Sequence, residues 1–337
     1  MLNAKTEKPL RVLAVAHWNY DGNPHPWAIQ RIQSLRDAGV RVDVLAEDCI
    51  SDRRGYLRLW RELNRRLTDS PYDVVAPLYG SLLGLLSVMQ RKAPVALHFA
   101  GSDINGRPTP GRISLHSLSV PISQLSAALA RGVAVTNPRM REALWWPPSR
   151  RSARVIQDGI DTEHFRPTPQ AEARRRRGLP PNGVRVAFVV LNRGSEDRRR
   201  YKRLDLARQA VAQVPGATLD LLEELPFSEM PAAYAAANAL VLTSIAEGSP
   251  NCVKEALACG IPVIATDAGD VRELISGLTN CAVVPPQPEA LAHALAAAIA
   301  DGRGCPEGPE QMRKHSLQVT VKEFVSFYSA VAGIEAA

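Results

Sequence analysis

The residues best placed to do chemistry lie in one run, Thr243-Ser-Ile-Ala-Glu247-Gly-Ser-Pro-Asn-Cys-Val-Lys-Glu255-Ala-Leu-Ala-Cys-Gly260-Ile-Pro-Val-Ile-Ala-Thr266. A buried strand is expected to end at Thr243. Ser249 is a good N-cap, Pro250 suits the first helical position, and Gly260 suits the stop. The helix therefore starts beside Gly248, at the carboxyl end of a parallel strand. Open α/β sheets bind ligands there, and the free N–H groups of a helix start favour phosphate. Glu247 falls just before the helix and Glu255 about two turns along it. That spacing is too wide for one acid/base pair, but it suits two parts of one long, phosphate-centred ligand such as a nucleotide sugar. Upstream, Arg193 to Arg203 is crowded with basic residues, including Lys202. Such a run is either a solvated charge cluster or an anion clamp.

These groups have to be positioned by alternating strands and helices. Leu10–Ala16 reads as a buried strand, followed by a turn over Asp21–Pro26 and a helix with Ile29, Ile32 and Leu35 on one face, stopped by Gly39. Further strands are expected at Val40–Ala46, Val74–Ala76, Val95–Phe99, Val133–Thr136 and Arg154–Ile156. The stretch Asp161–Pro181 carries four prolines and four consecutive arginines and reads as a linker. A second series follows, with strands at Val184–Leu191, Thr218–Leu222, Ala239–Thr243 and Ile261–Thr266. Helices are expected at Arg203–Val214, Pro250–Cys259, Pro288–Ala300 and Ser316–Val331. The fold class is α/β with parallel sheets, divided into 1–165, 166–315 and a C-terminal helix, 316–337.

At 337 residues, with 45% apolar and 22% charged residues, the chain can bury a core in each of two domains. The net charge of +7 is largely arginine and should attract anions, but no nucleic-acid-binding signature accompanies it. The five cysteines are scattered and form no C-x-x-C pair, against both a disulfide framework and a zinc site. The first apolar run is too short for a membrane span and lacks a cleavage site, so a cytoplasmic protein is expected. Residues 53–66 place Leu57, Trp60 and Leu63, with Leu67 beyond, among arginines at helical spacing. A basic amphipathic helix of that kind can lie on an anionic membrane, or can pack its stripe on the domain.

In the run from Thr243 to Thr266 the sequence resembles the retaining glycosyltransferases of family 4, which have the GT-B fold of two facing Rossmann-like domains. Glu247 and Glu255 match the family's E-x7-E motif, and the flanking residues match as well. The resemblance implies that Glu247 contacts sugar hydroxyls and Glu255 the donor ribose, with Gly248, Ser249, Asn251 and Cys252 lining the donor. It also implies that Lys202 and Arg193 clamp the diphosphate. His98, in His98-Phe-Ala-Gly-Ser-Asp103, would face the donor sugar, Asp103 the acceptor side, and Gly22 the phosphate. The segment Val155-Ile-Gln-Asp-Gly159-Ile-Asp161 resembles an interdomain Asn-Gly-Ile-Asp segment, with Asp158 in place of the usual asparagine. Pro250 stands where a common variant has glycine, and so offers one backbone N–H fewer. The implied activity uses a UDP- or GDP-sugar and a small-molecule, lipid-linked or glycan acceptor, without a metal or other cofactor. An oxidoreductase would need G-x-G-x-x-G after the first strand, which instead runs into His17-Trp-Asn-Tyr-Asp-Gly22. A non-catalytic sugar-nucleotide-binding protein and a nucleotide-sugar epimerase share the fold and stay open.

Overall fold

The computed structural model describes residues 9–17, 26–49, 52, 54–106, 118–190, 196–223 and 225–334. The expected turn at 21–25 and the candidates Gly22 and Arg193 lie outside these. The chain folds as two compact units, Met1–Gly159 with Leu317–Ala337, and Ile160–Ser316.

The first unit contains strands β1 (Arg11–His17), β2 (Arg41–Glu47), β3 (Val74–Pro77), β4 (Ala96–Phe99), β5 (Gly132–Val135) and β6 (Arg154–Val155). Its helices are α1 (Pro26–Asp37), α2 (Gly55–Asp69), α3 (Ser81–Met89), α4 (Ser102–Asn105), α5 (Ser119–Leu129), α6 (Pro138–Glu142) and α7 (Pro147–Ser152). All pairings are parallel, in the orders β2-β1-β3 and β4-β5-β6, and a Val75–Val95 bridge joins the two groups. Alternation along β1 divides the core. Leu13 and Val15 pack with Leu59, Leu63 and Leu83. Val12, Ala14 and Ala16 pack on the other face with Ile32, Leu35, Phe324 and Tyr328. Burying each such side chain contributes about 1.5–3 kcal/mol.

The second unit contains α8 (Gln170–Arg176), β7 (Val184–Val190), α9 (Glu196–Tyr201), α10 (Leu204–Ala212), β8 (Ala217–Glu223), α11 (Met230–Ala236) and β9 (Ala239–Leu242). It continues with α12 (Asn251–Ala258), β10 (Val263–Ala265), α13 (Val271–Leu274), β11 (Ala282–Val283), α14 (Pro288–Asp301) and α15 (Gly308–Arg313). Its five strands are parallel in the order β11-β10-β9-β7-β8. The order reverses direction between β7 and β9, which makes their carboxyl ends the switch point of this sheet. The last helix, α16 (Leu317–Ala332), belongs to the first unit and packs on α1.

Four expectations are corrected. In α1 the buried face is Ala28, Ile32 and Leu35, while Ile29 is 49% exposed. In α2 the buried row is Gly55, Leu59 and Leu63, four residues apart, and Leu57 is exposed. The first crossing between units falls at Gly159–Ile160 rather than at 165–166, because Phe165 is buried in the second unit against Phe227 and Tyr234. The expected linker contains α8, whose Arg174 is buried and donates to the carbonyls of Pro181, Gly183 and Ala236 and to Asn238 Oδ1. A guanidinium with five donors can tie down four acceptors in this way, so this arginine holds the chain in place instead of facing solvent.

The arginines of α2 are largely neutralised by neighbours. Arg65 pairs with Glu62 and Asp69, Arg66 with Glu62, and Arg58 with Asp52 and Glu47. Among the described residues no helix is long and apolar enough to cross a membrane.

Candidate functional site

The site builds up from the end of β9. Beyond β7 the described chain resumes in α9 and turns at Lys202–Arg203, where Arg203 takes a left-handed conformation (φ 53°). The strand end clasps this turn. Thr243 Oγ1 lies 2.7 Å and 2.9 Å from the carbonyls of Lys202 and Arg203, and the Ile245 N–H donates to the Tyr201 carbonyl. Lys202 is thereby aimed at the next loop, and its Nζ donates to Glu247 Oε1 at 2.6 Å. Burial opposes the ammonium, but the nearby Glu247 charge, then Cys252 and Tyr201, outweigh it and raise the lysine pKa. The site therefore holds a fixed positive charge.

Helix α12 begins one residue later than expected. Pro250 is its N-cap and supplies no side-chain acceptor, so Ser249 lies outside the cap. The first amide bonded back is that of Val253, to the Pro250 carbonyl, and among the described residues no backbone carbonyl accepts from the N–H groups of Asn251 and Cys252 at the helix start. Among the described residues, Asn251 Oδ1 and Ser244 Oγ are buried without hydrogen-bond partners, which is uncommon for buried polar atoms. The Cys252 thiol is pushed up to about 12 by burial, with Lys202 opposing. It is a neutral, packed side chain. At the other end the stop falls where expected, at Gly260 with φ +76°.

Glu255 stands on the second turn. Tyr234 Oη, from α11, donates to its Oε2 at 2.6 Å, and no hydrogen bond engages Oε1 among the described residues. Burial raises the Glu255 pKa against the Tyr234 hydrogen bond and the Lys254 and His164 charges. Burial, then Glu255, drives the phenol well above its ordinary value, so Tyr234 stays a donor.

Behind the helix start, Lys254 and Asp270 are both buried. Burial pushes Asp270 up to about 6, opposed by Lys254 and then by Ser249. This pair sits under a close approach of two loops. Gly269 has φ +62°, and a Cβ there would lie 2.4 Å from the Gly248 carbonyl oxygen and 3.1 Å from that of Glu247. Only glycine lets the loop before α13 press on the Glu247–Gly248 peptide. Tyr234, Lys254, Gly269 and Asp270 were missed in the sequence. The available signals were the one hydroxyl in the alanine-rich run Pro231–Ala237 and the glycine two residues after Asp267.

Arg199, within the basic cluster, donates to both carboxylate oxygens of Glu223 at 3.1 Å. Lys202 is the cation of this cluster that the fold delivers to Glu247.

In the first unit the structure turns two candidates inward. His98 is 1% exposed, with Nδ1 3.1 Å from Arg31 Nη2 and Nε2 3.1 Å from the Ile156 carbonyl. Arg31 can only donate, so Nδ1 accepts and Nε2–H donates. Arg31 is itself paired with Asp158, and the His98 ring meets the edge of Phe324. Both ring nitrogens of this histidine, expected at the donor sugar, are hydrogen-bonded within the first unit. Asp103 is 0% exposed, and its carboxylate accepts from the N–H groups of Gly80, Ala100 and Gly101. It organises the loop after β4.

His98 makes a prediction about acid stability. Burial, then the Arg31 charge, lower its pKa from 6.5 to about 3. The unfolded chain therefore takes up this proton first, and stability present above pH 6.5 is lost as pH falls towards 3. Between pH 6.5 and 5 the loss is about 2 kcal/mol. Urea unfolding at pH 7, 6 and 5 should show it, with a shallower slope in His98→Gln. Equal slopes in the two proteins would remove His98 as the cause.

Residues 179–301 match the family model described as Glycosyl transferases group 1. The chain is 28% identical over 263 residues to a Bacillus subtilis (strain 168) protein named as a teichuronic acid biosynthesis glycosyltransferase, TuaC. That match takes in 70% of this chain and spans 66% of the relative, just under two thirds of its length. Sucrose-phosphate synthase from Thermosynechococcus elongatus superposes with a TM-score of 0.78 at 18% identity, over 96% of this chain and 99% of that one. Anabaena Alr3699/HepE, solved in complex with UDP-glucose, superposes with a TM-score of 0.71 at 16% identity, over 95% and 100%. The chain has the GT-B fold, and the family match over its second unit supports a GT-B glycosyltransferase.

Proposed function

We propose that the chain transfers a sugar from a UDP- or GDP-sugar to an acceptor hydroxyl with retention of configuration, as a family 4 retaining glycosyltransferase. The observation that carries this reading is the Lys202–Glu247 pair beside the open start of α12, at the switch point of the second sheet. An ammonium has three donors, so Lys202 can hold Glu247 with one and a diphosphate oxygen with another. Negative charge develops on the diphosphate as the glycosidic bond breaks. Lys202 and the first amides of α12 are fixed where they stabilise it. Glu247 is left to orient sugar hydroxyls, and Glu255 Oε1 to accept from the ribose while Tyr234 holds Oε2. Gly248, Ser249, Asn251 and Cys252 line the donor. Arg193 and Gly22 belong to the same proposal through the sequence resemblance alone. In this reading the departing phosphate assists the incoming hydroxyl on the same face, and neither a protein nucleophile nor a metal takes part. The TuaC similarity favours glycosyl transfer, and the UDP-glucose in HepE favours a nucleotide-sugar donor.

A thermal-shift panel of UDP- and GDP-sugars tests donor binding, since saturation at about 100 times Kd adds about 2.7 kcal/mol of stability. Glu255→Gln should raise the donor KM on the order of tenfold with little change in kcat, whereas Glu247→Gln should lower kcat. Turnover should withstand excess chelator. Unchanged kinetics in both folded variants would remove the assignment. Binding without transfer would make the protein a sensor, and donor isomerised without acceptor would make it an epimerase.

A further inference from the structure

The first unit carries an apolar face that none of its described residues covers. Along α5 the inward residues Ser123, Ser126 and Ala127 are buried, while Leu125 and Leu129, one turn apart, are 50% and 58% exposed. Beside them Trp145 and Trp146 are 60% and 52% exposed. With Pro121, Leu125 and Ala128 the two indoles line a shallow groove of about 310 Å³.

The tryptophans are held there by their backbone. The Trp145 N–H donates to Gln124 Oε1 at 2.8 Å, and Gln124 Nε2 donates to the Ala143 carbonyl at 3.0 Å. From the other side Arg150 donates through Nε and Nη2 to the Leu144 carbonyl. Gln124 is itself 5% exposed. A buried glutamine and a half-buried arginine thus hold the backbone that presents two large apolar side chains to solvent, a geometry set before any partner arrives.

The charge around this face is one-sided. From residue 118 to residue 155 the chain has six arginines, no lysine and one acid, Glu142. Arg139 and Arg141 lie on α6 just before the tryptophans, and Arg150 and Arg151 on α7 just after them. Of these, Arg141 Nε lies 3.6 Å from Glu142 Oε1, and Arg151 is exposed.

We propose that this face of α5, α6 and α7 docks on an anionic lipid bilayer, with Trp145, Trp146, Leu125 and Leu129 entering the interface and the arginines meeting lipid phosphates. Tryptophan beside leucine, rimmed by arginine, matches the layering of a bilayer surface, apolar beneath an anionic plane. A second copy of the chain fits less well, because a two-fold contact would face one arginine-rimmed patch with another. The inference is independent of the proposed chemistry.

The test is co-sedimentation of the full chain with vesicles of phosphatidylglycerol and phosphatidylcholine (1:1) and of phosphatidylcholine alone. Binding should require phosphatidylglycerol, weaken with salt, and shift tryptophan emission to the blue. Trp145→Ser with Trp146→Ser should weaken it on the order of tenfold, and Arg141→Glu with Arg151→Glu at least about fivefold. Arg61→Glu, on α2, should leave it unchanged. The thermal transition of each variant reports that it is folded. The proposal is overturned if the anionic vesicles do not bind the protein, or if binding survives the tryptophan pair but is lost in Arg61→Glu. It is equally overturned if the protein self-associates without lipid and the tryptophan substitutions abolish that association.

Discussion

Lys202→Ala is expected to fold but to lose on the order of 10²-fold or more in turnover, about 3 kcal/mol of barrier, in a donor-saturated assay. Nothing else in the described cluster reaches the same point. The turn that carries Lys202 is fixed by Thr243 and Ile245, and Nζ lies 2.6 Å from Glu247. Removing the ammonium takes away the charge facing the diphosphate and also releases the Glu247 carboxylate, 16% exposed, from its partner. Lys202→Arg should recover only part of the rate, since a planar guanidinium spreads its charge and cannot occupy the same position. Arg199→Ala is the internal control. That guanidinium is 41% exposed and bound to Glu223, so its loss should change turnover by less than about threefold. Equal effects in Lys202→Ala and Arg199→Ala would mean that the cluster acts only as a diffuse positive field. The diphosphate contact would then have to be sought elsewhere in it.

What the sequence made legible was local. The start and stop of α12 were readable to within a residue because proline and glycine impose backbone geometry on their own positions, and Gly260 takes the left-handed conformation a helix stop requires. The parallel strands were readable because residues buried on both faces form continuous apolar runs, as Val184–Val190 does. What was not legible is the direction of a side chain once elements pack. His98 and Asp103 end up inside because Arg31, 67 residues from His98, and Gly80, 23 residues from Asp103, supply partners that no local pattern reveals. The row of α2 that faces the core is likewise decided by the sheet it meets, and Leu59 and Leu63 win over Leu57. Tyr234 is of the same kind. Its sequence neighbours are alanines, and its significance lies in Glu255, 21 residues away.

These partners give the site a supporting layer. Glu247 is held by Lys202, and Lys202 by the end of β9. Glu255 is held by Tyr234. The Glu247–Gly248 peptide between them is held by the Gly269 loop, behind which Lys254 and Asp270 are buried. Lys202, Glu255 and the backbone at Glu247 and Gly248 are therefore each positioned by residues outside the proposed donor contacts, which is how a preorganised site keeps its geometry without ligand.

Gly269→Ala should disturb that layer at one point. Two costs combine. An alanine at φ +62° is strained by about 1 kcal/mol. Its Cβ would also lie 2.4 Å from the Gly248 carbonyl oxygen, so backbone has to move. Together these should lower stability by about 3 kcal/mol, measured by urea unfolding. The displaced peptide carries Glu247, and a shift approaching 1 Å in a positioning group costs on the order of 10²-fold in rate. Gly277→Ala separates the two terms, because Gly277 has φ +75° but no atom within 4 Å of the added Cβ. It should cost only the conformational part, about 1 kcal/mol, and leave kcat intact. If Gly269→Ala matched Gly277→Ala in both stability and kcat, the approach of the two loops would have no bearing on the site. A loss confined to Gly269→Ala, with kcat falling more than donor affinity, would place the Glu247–Gly248 peptide in the transition-state contacts.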